Sequence, residues 1–266
     1  MKIIVGVPIN SKTAYIIDEF IKNQKEIQES TKSGEVKTIF ATEEIDFMWT
    51  LNDKIKKAKM NGDAIFFSIE KPENAKDRIW TIVAARNSIR EYFLSHESDY
   101  LVFIDGDMVY NPKIIDKMVE KVDEGYDIVV HLYEARQGVG LLHGAFGGIL
   151  IKRWIMEKIK FRCFETEDGL VGNEGWCFWY DLKRYKIKAK IFRGIIAETL
   201  HYNSKNEFTI TPERSLKTRE RIREWGKNLL SLLSIFPEEK ALRLALLLRI
   251  IARDPAARGE LGKKLI

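Results

Sequence analysis

An α/β fold, with a mostly parallel sheet flanked by helices and a helical appendage after it, is what the sequence predicts. Three observations lead there. Short β-rich apolar runs alternate with segments whose apolar residues recur every three or four positions. The runs are apolar throughout rather than alternating, as strands covered on both faces should be. A chain of 266 residues with 45% hydrophobic content can also bury one large core, with room for an appendage.

Taken in order, the runs are "KIIVGVPI" (2–9), "VKTIFAT" (36–42), "DAIFFSIE" (63–70), "YLVFID" (100–105) and "DIVVHLY" (127–133). Between them, residues 13–28, 47–60, 78–95 and 113–124 carry helical spacing. Such alternation builds a sheet with helices on both faces, and sheets of this kind bind ligands beyond the carboxyl ends of their strands. The catalytic domain is expected over residues 1–205 and a helical region over 206–266. In the latter, "TPERSLKTRERIREWGKNLLSLLSIF" opens with a Thr cap and Pro212, and residues 244–248 are apolar all round. That last helix is expected to pack on the catalytic domain or form a homodimer contact. A peripheral membrane contact through Lys240, Arg243, Arg249 and Arg253 is the other way to satisfy it.

Composition removes several classes. The 44 basic and 39 acidic residues leave +5, mostly interspersed, which argues against a nucleic-acid binder. No window approaches the roughly 18 apolar residues of a membrane span, and the apolar run before Pro8 is too short for a signal peptide, so a cytoplasmic protein is expected. Cys163 and Cys177 form no CxxC pattern and are read as reduced and packed.

The chemistry is announced by "YLVFIDGDMVYNPKII" (100–115). The fourth strand ends on Asp105 and Asp107, whose side chains fall on one side of an extended segment while Gly106 leaves the backbone between them open. Two adjacent carboxylates repel, and a hard divalent cation, Mg²⁺ or Mn²⁺, relieves the repulsion. A plain Asp-Gly turn is the alternative. Asn111 as a cap and Pro112 as a helix start indicate that the strand leads to a helix instead.

Two metal-dependent classes own such a sequence. In a haloacid-dehalogenase-like phosphatase Asp105 would be the nucleophile and Asp107 the general acid, but that family carries the motif on its first strand and needs later partners that are missing here. Along residues 1–202 the chain instead resembles the family-2-like GT-A glycosyltransferases. "VGVPIN" looks like their first strand and "AARNSIREYFLSHESDYLVFIDGDM" like the Arg-Asn helix leading to the DxD strand. "GAFGGILIKRWIMEKI" is similar to the acceptor-side glycine segment, "GNEGWCFWYDLKRYKIKA" to the acidic motif opening a helix, and "ETLHY" to the late strand bearing a histidine.

The resemblance implies roles. Asp107, with His201 and Asp105, would hold Mn²⁺ or Mg²⁺. Pro8, Asn10, Glu43, Arg86, Asn87, Asp105, Gly106 and Asp107 would receive a UDP- or GDP-linked nucleotide sugar, and Glu44 is a further candidate beside Glu43. His143, Gly147, Gly148 and Trp176 would lie toward a sugar, lipid-linked or protein acceptor. Trp176, Trp179 and Tyr180 would form either a sugar-stacking platform or a packed cluster. An inverting transferase needs a carboxylate base, and the family's Glu-Asp pair reads Glu174-Gly175 here, or ends on Asn173 if shifted by two. Glu174 is therefore the expected base, with Glu167 and Asp168 in reserve, and retention of configuration stays open. A nucleotidyltransferase and a non-catalytic scaffold are the remaining readings.

Overall fold

The computed structural model describes residues 1–69, 78–134, 142–143, 146–166, 171–205, 207–211 and 235–244. Strand β1 (Lys2–Pro8) leads through a 3₁₀ turn (Ser11–Ile16) into α1 (Ile17–Ser30), followed by β2 (Glu35–Thr42), α2 (Ile45–Ala58) and β3 (Gly62–Phe66). Then come α3 (Ile79–Ser95), β4 (Tyr100–Ile104), the short β5 (Met108–Tyr110), α4 (Ile114–Asp123) and β6 (Ile128–His131). Next are β7 (Tyr133–Glu134), β8 (Leu142–His143), β9 (Gly148–Lys152) and α5 (Arg153–Lys158). The chain continues with β10 (Phe164–Glu165), β11 (Val171–Gly172), α6 (Glu174–Arg184), β12 (Ile191–Gly194), β13 (Thr199–Tyr202) and β14 (Phe208–Thr211).

The α/β class and the mostly parallel sheet are as expected. Seven strands run in the order β12-β6-β9-β4-β1-β2-β3. All neighbours are parallel except β9, which is antiparallel to both β4 and β6. On one face Val5, Val7, Val102 and Ile104 pack with apolar residues of α1, α2 and α4. On the other, α3 comes so close to β1 that a Cβ on Gly6 would lie 2.3 Å from Cγ2 of Ile89. Only glycine permits that approach.

Several expected boundaries move. The run 127–133 is two strands, because β6 ends and Leu132 donates its N–H to the carbonyl of Gly194 before β7 begins. The helix expected from residue 13 begins as a 3₁₀ turn capped by the Asn10 side chain, which accepts from the N–H of Lys12. Between the aspartates and α4 stands β5, which pairs antiparallel with β13 in a three-stranded sheet with β14. Its other edge is held by α1: the Asn23 amide donates to the Tyr110 carbonyl at 2.7 Å and accepts from the Tyr110 N–H at 3.0 Å. A side-chain amide there takes the place of a strand.

The chain divides into two compact units, residues 1–162 with 188–215, and residues 163–187 with 216–266. The segment carrying α6 groups with the second unit. Of the C-terminal region, residues 206, 212–234 and 245–266 lie outside the described residues, and so do Arg249, Arg253 and residues 245–248 of the apolar stretch that was expected to seek a partner. No helix among the described residues is long and apolar enough to cross a membrane.

Candidate active site

The first unit gathers its polar side chains where β4 ends. Leu101 to Ile104 are fully buried, so the chain emerges from the core directly at Asp105. There it turns, with the N–H of Met108 donating to the Asp105 carbonyl at 3.3 Å, and joins β5. Gly106 sits in this turn against Ile9, whose Cδ1 would lie 3.0 Å from an added Cβ. The pairing of β5 with β13 sets Met108 opposite His201, and the Tyr202 N–H donates to the Asp107 carbonyl at 2.9 Å. Sheet register therefore brings together residues 94 positions apart.

Asp107 and His201 face each other. Oδ1 of Asp107 lies 3.8 Å from Nε2 of His201, and both side chains are largely buried. Nδ1 of His201 lies 3.1 Å from the carbonyl oxygen of Glu134. A carbonyl only accepts, so Nδ1 carries the proton and in the neutral ring Nε2 turns its lone pair toward the carboxylate. Two electron-rich atoms at this spacing call for a positive charge, either a proton on the ring or a cation between them. The donor set suits Mn²⁺ or Mg²⁺: two ligands each about 2.1 Å from an ion can stand up to about 4.2 Å apart, and a ligating histidine ordinarily gives its other N–H to a carbonyl or carboxylate.

Asp105 belongs to a different pair. Its Oδ1 is 3.4 Å from Nη2 of Arg86, which α3 delivers from the opposite face of the sheet. Arg86 is only 3% exposed, and its guanidinium carbon lies 5.0 Å and 4.8 Å from the ring centres of Phe103 and Phe146. Among the described residues no group of three His, Cys, Asp or Glu side chains is arranged to hold a metal. The expected trio therefore resolves into a facing pair, Asp107 with His201, and a separate ion pair, Asp105 with Arg86. The reason is that a buried guanidinium requires a counter-charge.

Other expected donor contacts are taken up internally. The Asn87 amide exchanges two hydrogen bonds of 2.9 Å with the main chain of Phe161, fixing α3 to the segment after α5. Asn10 caps its turn, Glu44 accepts from the Ser11 N–H, and Glu43 accepts from the Thr81 hydroxyl at 3.4 Å. Pro8 ends β1, at the carboxyl edge of the sheet.

On the acceptor side, His143 pairs with Tyr133 in the two-stranded β7–β8 ladder. Gly148 opposes Ile104 at the start of β9, so the glycine-rich segment is the start of a strand. A Cβ on Gly147 would lie 2.4 Å from the Tyr133 hydroxyl and 2.6 Å from Oδ2 of Asp105. Tyr133, Glu134 and Phe146 were not singled out from the sequence. The signals available were Phe146 inside "HGAFGG" and Tyr133 at the end of "DIVVHLY".

In the second unit, Asn173 caps α6 by accepting from the Trp176 N–H at 2.9 Å, and Glu174 is the acidic residue of the first turn. Trp176 stacks on Tyr180 at 4.9 Å and 18°, while the Tyr180 hydroxyl donates to the Phe236 carbonyl. Tyr180 is fully buried, so of the two aromatic readings the packed cluster describes it. Glu167 and Asp168 lie outside the described residues.

No family model and no curated protein matches the chain. It is similar to several solved structures. One is TarS residues 1–349 from S. aureus in complex with UDP-GlcNAc, at 15% identity and a TM-score of 0.48, covering 67% of this chain and 52% of that one. Another is A197 from STIV, at 16% identity and a TM-score of 0.42, covering 81% and 96%. A third, from Desulfovibrio desulfuricans G20, is described as a nucleotide-diphospho-sugar transferase and is similar at 11% identity and a TM-score of 0.41, covering 72% and 78%. The chain thus spans about half the length of the TarS structure.

Proposed function

We propose that this protein is a metal-dependent glycosyltransferase acting on a UDP- or GDP-linked sugar. The observation that carries the reading is the pair of Asp107 and His201 at the carboxyl end of β4, 3.8 Å apart with the imidazole tautomer set by the Glu134 carbonyl. Asp107 and His201 would hold Mn²⁺ or Mg²⁺. When bound, such a cation neutralises charge on a departing diphosphate. Asp105, fixed by Arg86, keeps one carboxylate oriented for a donor hydroxyl or a water beside the cation. The location agrees, since open α/β sheets take ligands at this edge. Glu174, in the first turn of α6, is proposed as the base that receives the acceptor proton. The phosphatase reading fares worse, because its nucleophile would be Asp105, already committed to a buried arginine.

Calorimetric titration of UDP and GDP, with and without Mn²⁺, tests the proposal. One nucleoside diphosphate should bind only with the metal and should fail to bind Asp107→Asn. Binding that ignores both the metal and the substitution would contradict it.

A further inference from the structure

Four observations converge on one residue that neither the motifs nor the proposed roles include. Tyr133 is 4% exposed on β7. Its ring meets that of His201 edge to face, with centres 5.5 Å apart and planes at 89°. Its hydroxyl and Oδ2 of Asp105 both lie beside Gly147, within 2.4 Å and 2.6 Å of the point a Cβ would occupy. The next residue, Glu134, supplies the carbonyl that binds Nδ1 of His201.

We infer that Tyr133 is a positioning residue, wedged between Asp105 and His201 and setting the distance between the ion pair and the metal-facing pair; the inference deepens the transferase reading and rests on it for its purpose. The ring restricts the rotation of the His201 imidazole about its bond to the backbone, so Nε2 stays directed at Asp107. The hydroxyl bounds the Oδ2 side of Asp105, whose Oδ1 side Arg86 already bounds. Phe146 and Gly147 serve the same end in succession. Phe146 covers Arg86, and Gly147 leaves the space in which the tyrosine hydroxyl and the carboxylate approach. A methyl group at 147 would displace one of them, which gives this glycine a steric reason to be glycine.

The test has two arms on the full-length chain. In the first, unfolding in urea is compared for wild type, Tyr133→Phe, Asp105→Asn and the double variant. Groups that constrain one another lose stability non-additively, so the double variant should lose less than the two single losses together. Additive losses would overturn the inference, whatever becomes of the transferase reading. In the second, Mn²⁺ alone is titrated and followed by electron spin resonance. Tyr133→Leu, which removes the ring beside His201, should weaken Mn²⁺ about tenfold, the usual scale for a group that orients a ligand, while Tyr133→Phe retains more of the affinity. Unchanged affinity in Tyr133→Leu would also overturn it. Wild type that binds no Mn²⁺ would sink the metal reading instead, with the urea cycle still deciding on Tyr133.

Discussion

Arg86 carries a full charge into a place where 3% of its surface meets solvent, against two phenylalanine rings and one carboxylate. Removing one side of such a pair costs far more than the pair contributes, because a charge or a cavity is left behind. Arg86→Ala should therefore destabilise the protein by about 3 kcal/mol in urea unfolding, and Arg86→Lys should lose much of the same, since an ammonium lacks the planar, weakly hydrated guanidinium that packs against aromatic rings and reaches Asp105. A surface arginine would tolerate both. The sequence showed Arg86 as one basic residue on a helix, and nothing in its spacing revealed the edge-to-face pair of Phe103 and Phe146 beside it. Asp105 and Asp107 were legible because an apolar strand ended on them abruptly. Their separation into different pairs was not, because it depends on α3 and β13, which approach from opposite faces. The link from Asn87 to the main chain of Phe161 was equally illegible, because it joins residues 74 positions apart.

At the scale of elements, what could be read was what repeats. The apolar runs for β1, β2, β4 and β6 and the helices between them followed from periodicity, since burial on two faces writes itself along several consecutive residues. What could not be read was short. β5 is three residues long and is a strand only because β13 pairs with one edge and Asn23 occupies the other. Asn23→Ala would strand a buried N–H and a buried carbonyl, costing about 2–4 kcal/mol, and should accelerate hydrogen exchange at Tyr110 above other strand amides. Unaltered exchange would show that α1 does not hold this edge. The close packing of α3 on β1 gives a second expectation. Gly6→Ala should cost about 1–3 kcal/mol through overpacking, and Ile89→Ala in the same chain should recover part of the loss, measured by thermal unfolding.

For the molecule as a whole, burial of His131 makes stability depend on acid. Its Nδ1 accepts from the Ile196 N–H and its Nε2 lies 2.8 Å from the Thr199 hydroxyl, so the ring is held neutral and burial lowers its pKa from 6.5 to about 3. Below pH 6.5 the unfolded chain binds this proton and the folded one does not. Its contribution is therefore complete above pH 6.5 and is lost as pH falls toward 3, at up to about 1.4 kcal/mol per pH unit. The slope of unfolding free energy between pH 6 and pH 4 should be smaller in His131→Asn by about one proton. Composition had correctly suggested a globular α/β chain, but its division into units was not legible, since the segment carrying α6 interrupts the first unit without a change in residue character. The central claim remains that Asp107 and His201 form a cation site for a nucleotide sugar. Its most direct test is the release of UDP or GDP from a panel of nucleotide sugars incubated with Mn²⁺ and the wild-type chain or Asp107→Asn. Release from one donor class that requires Mn²⁺ and falls about a hundredfold in the variant is the predicted result. Release that is equal in the two proteins, or none from any donor, would contradict it.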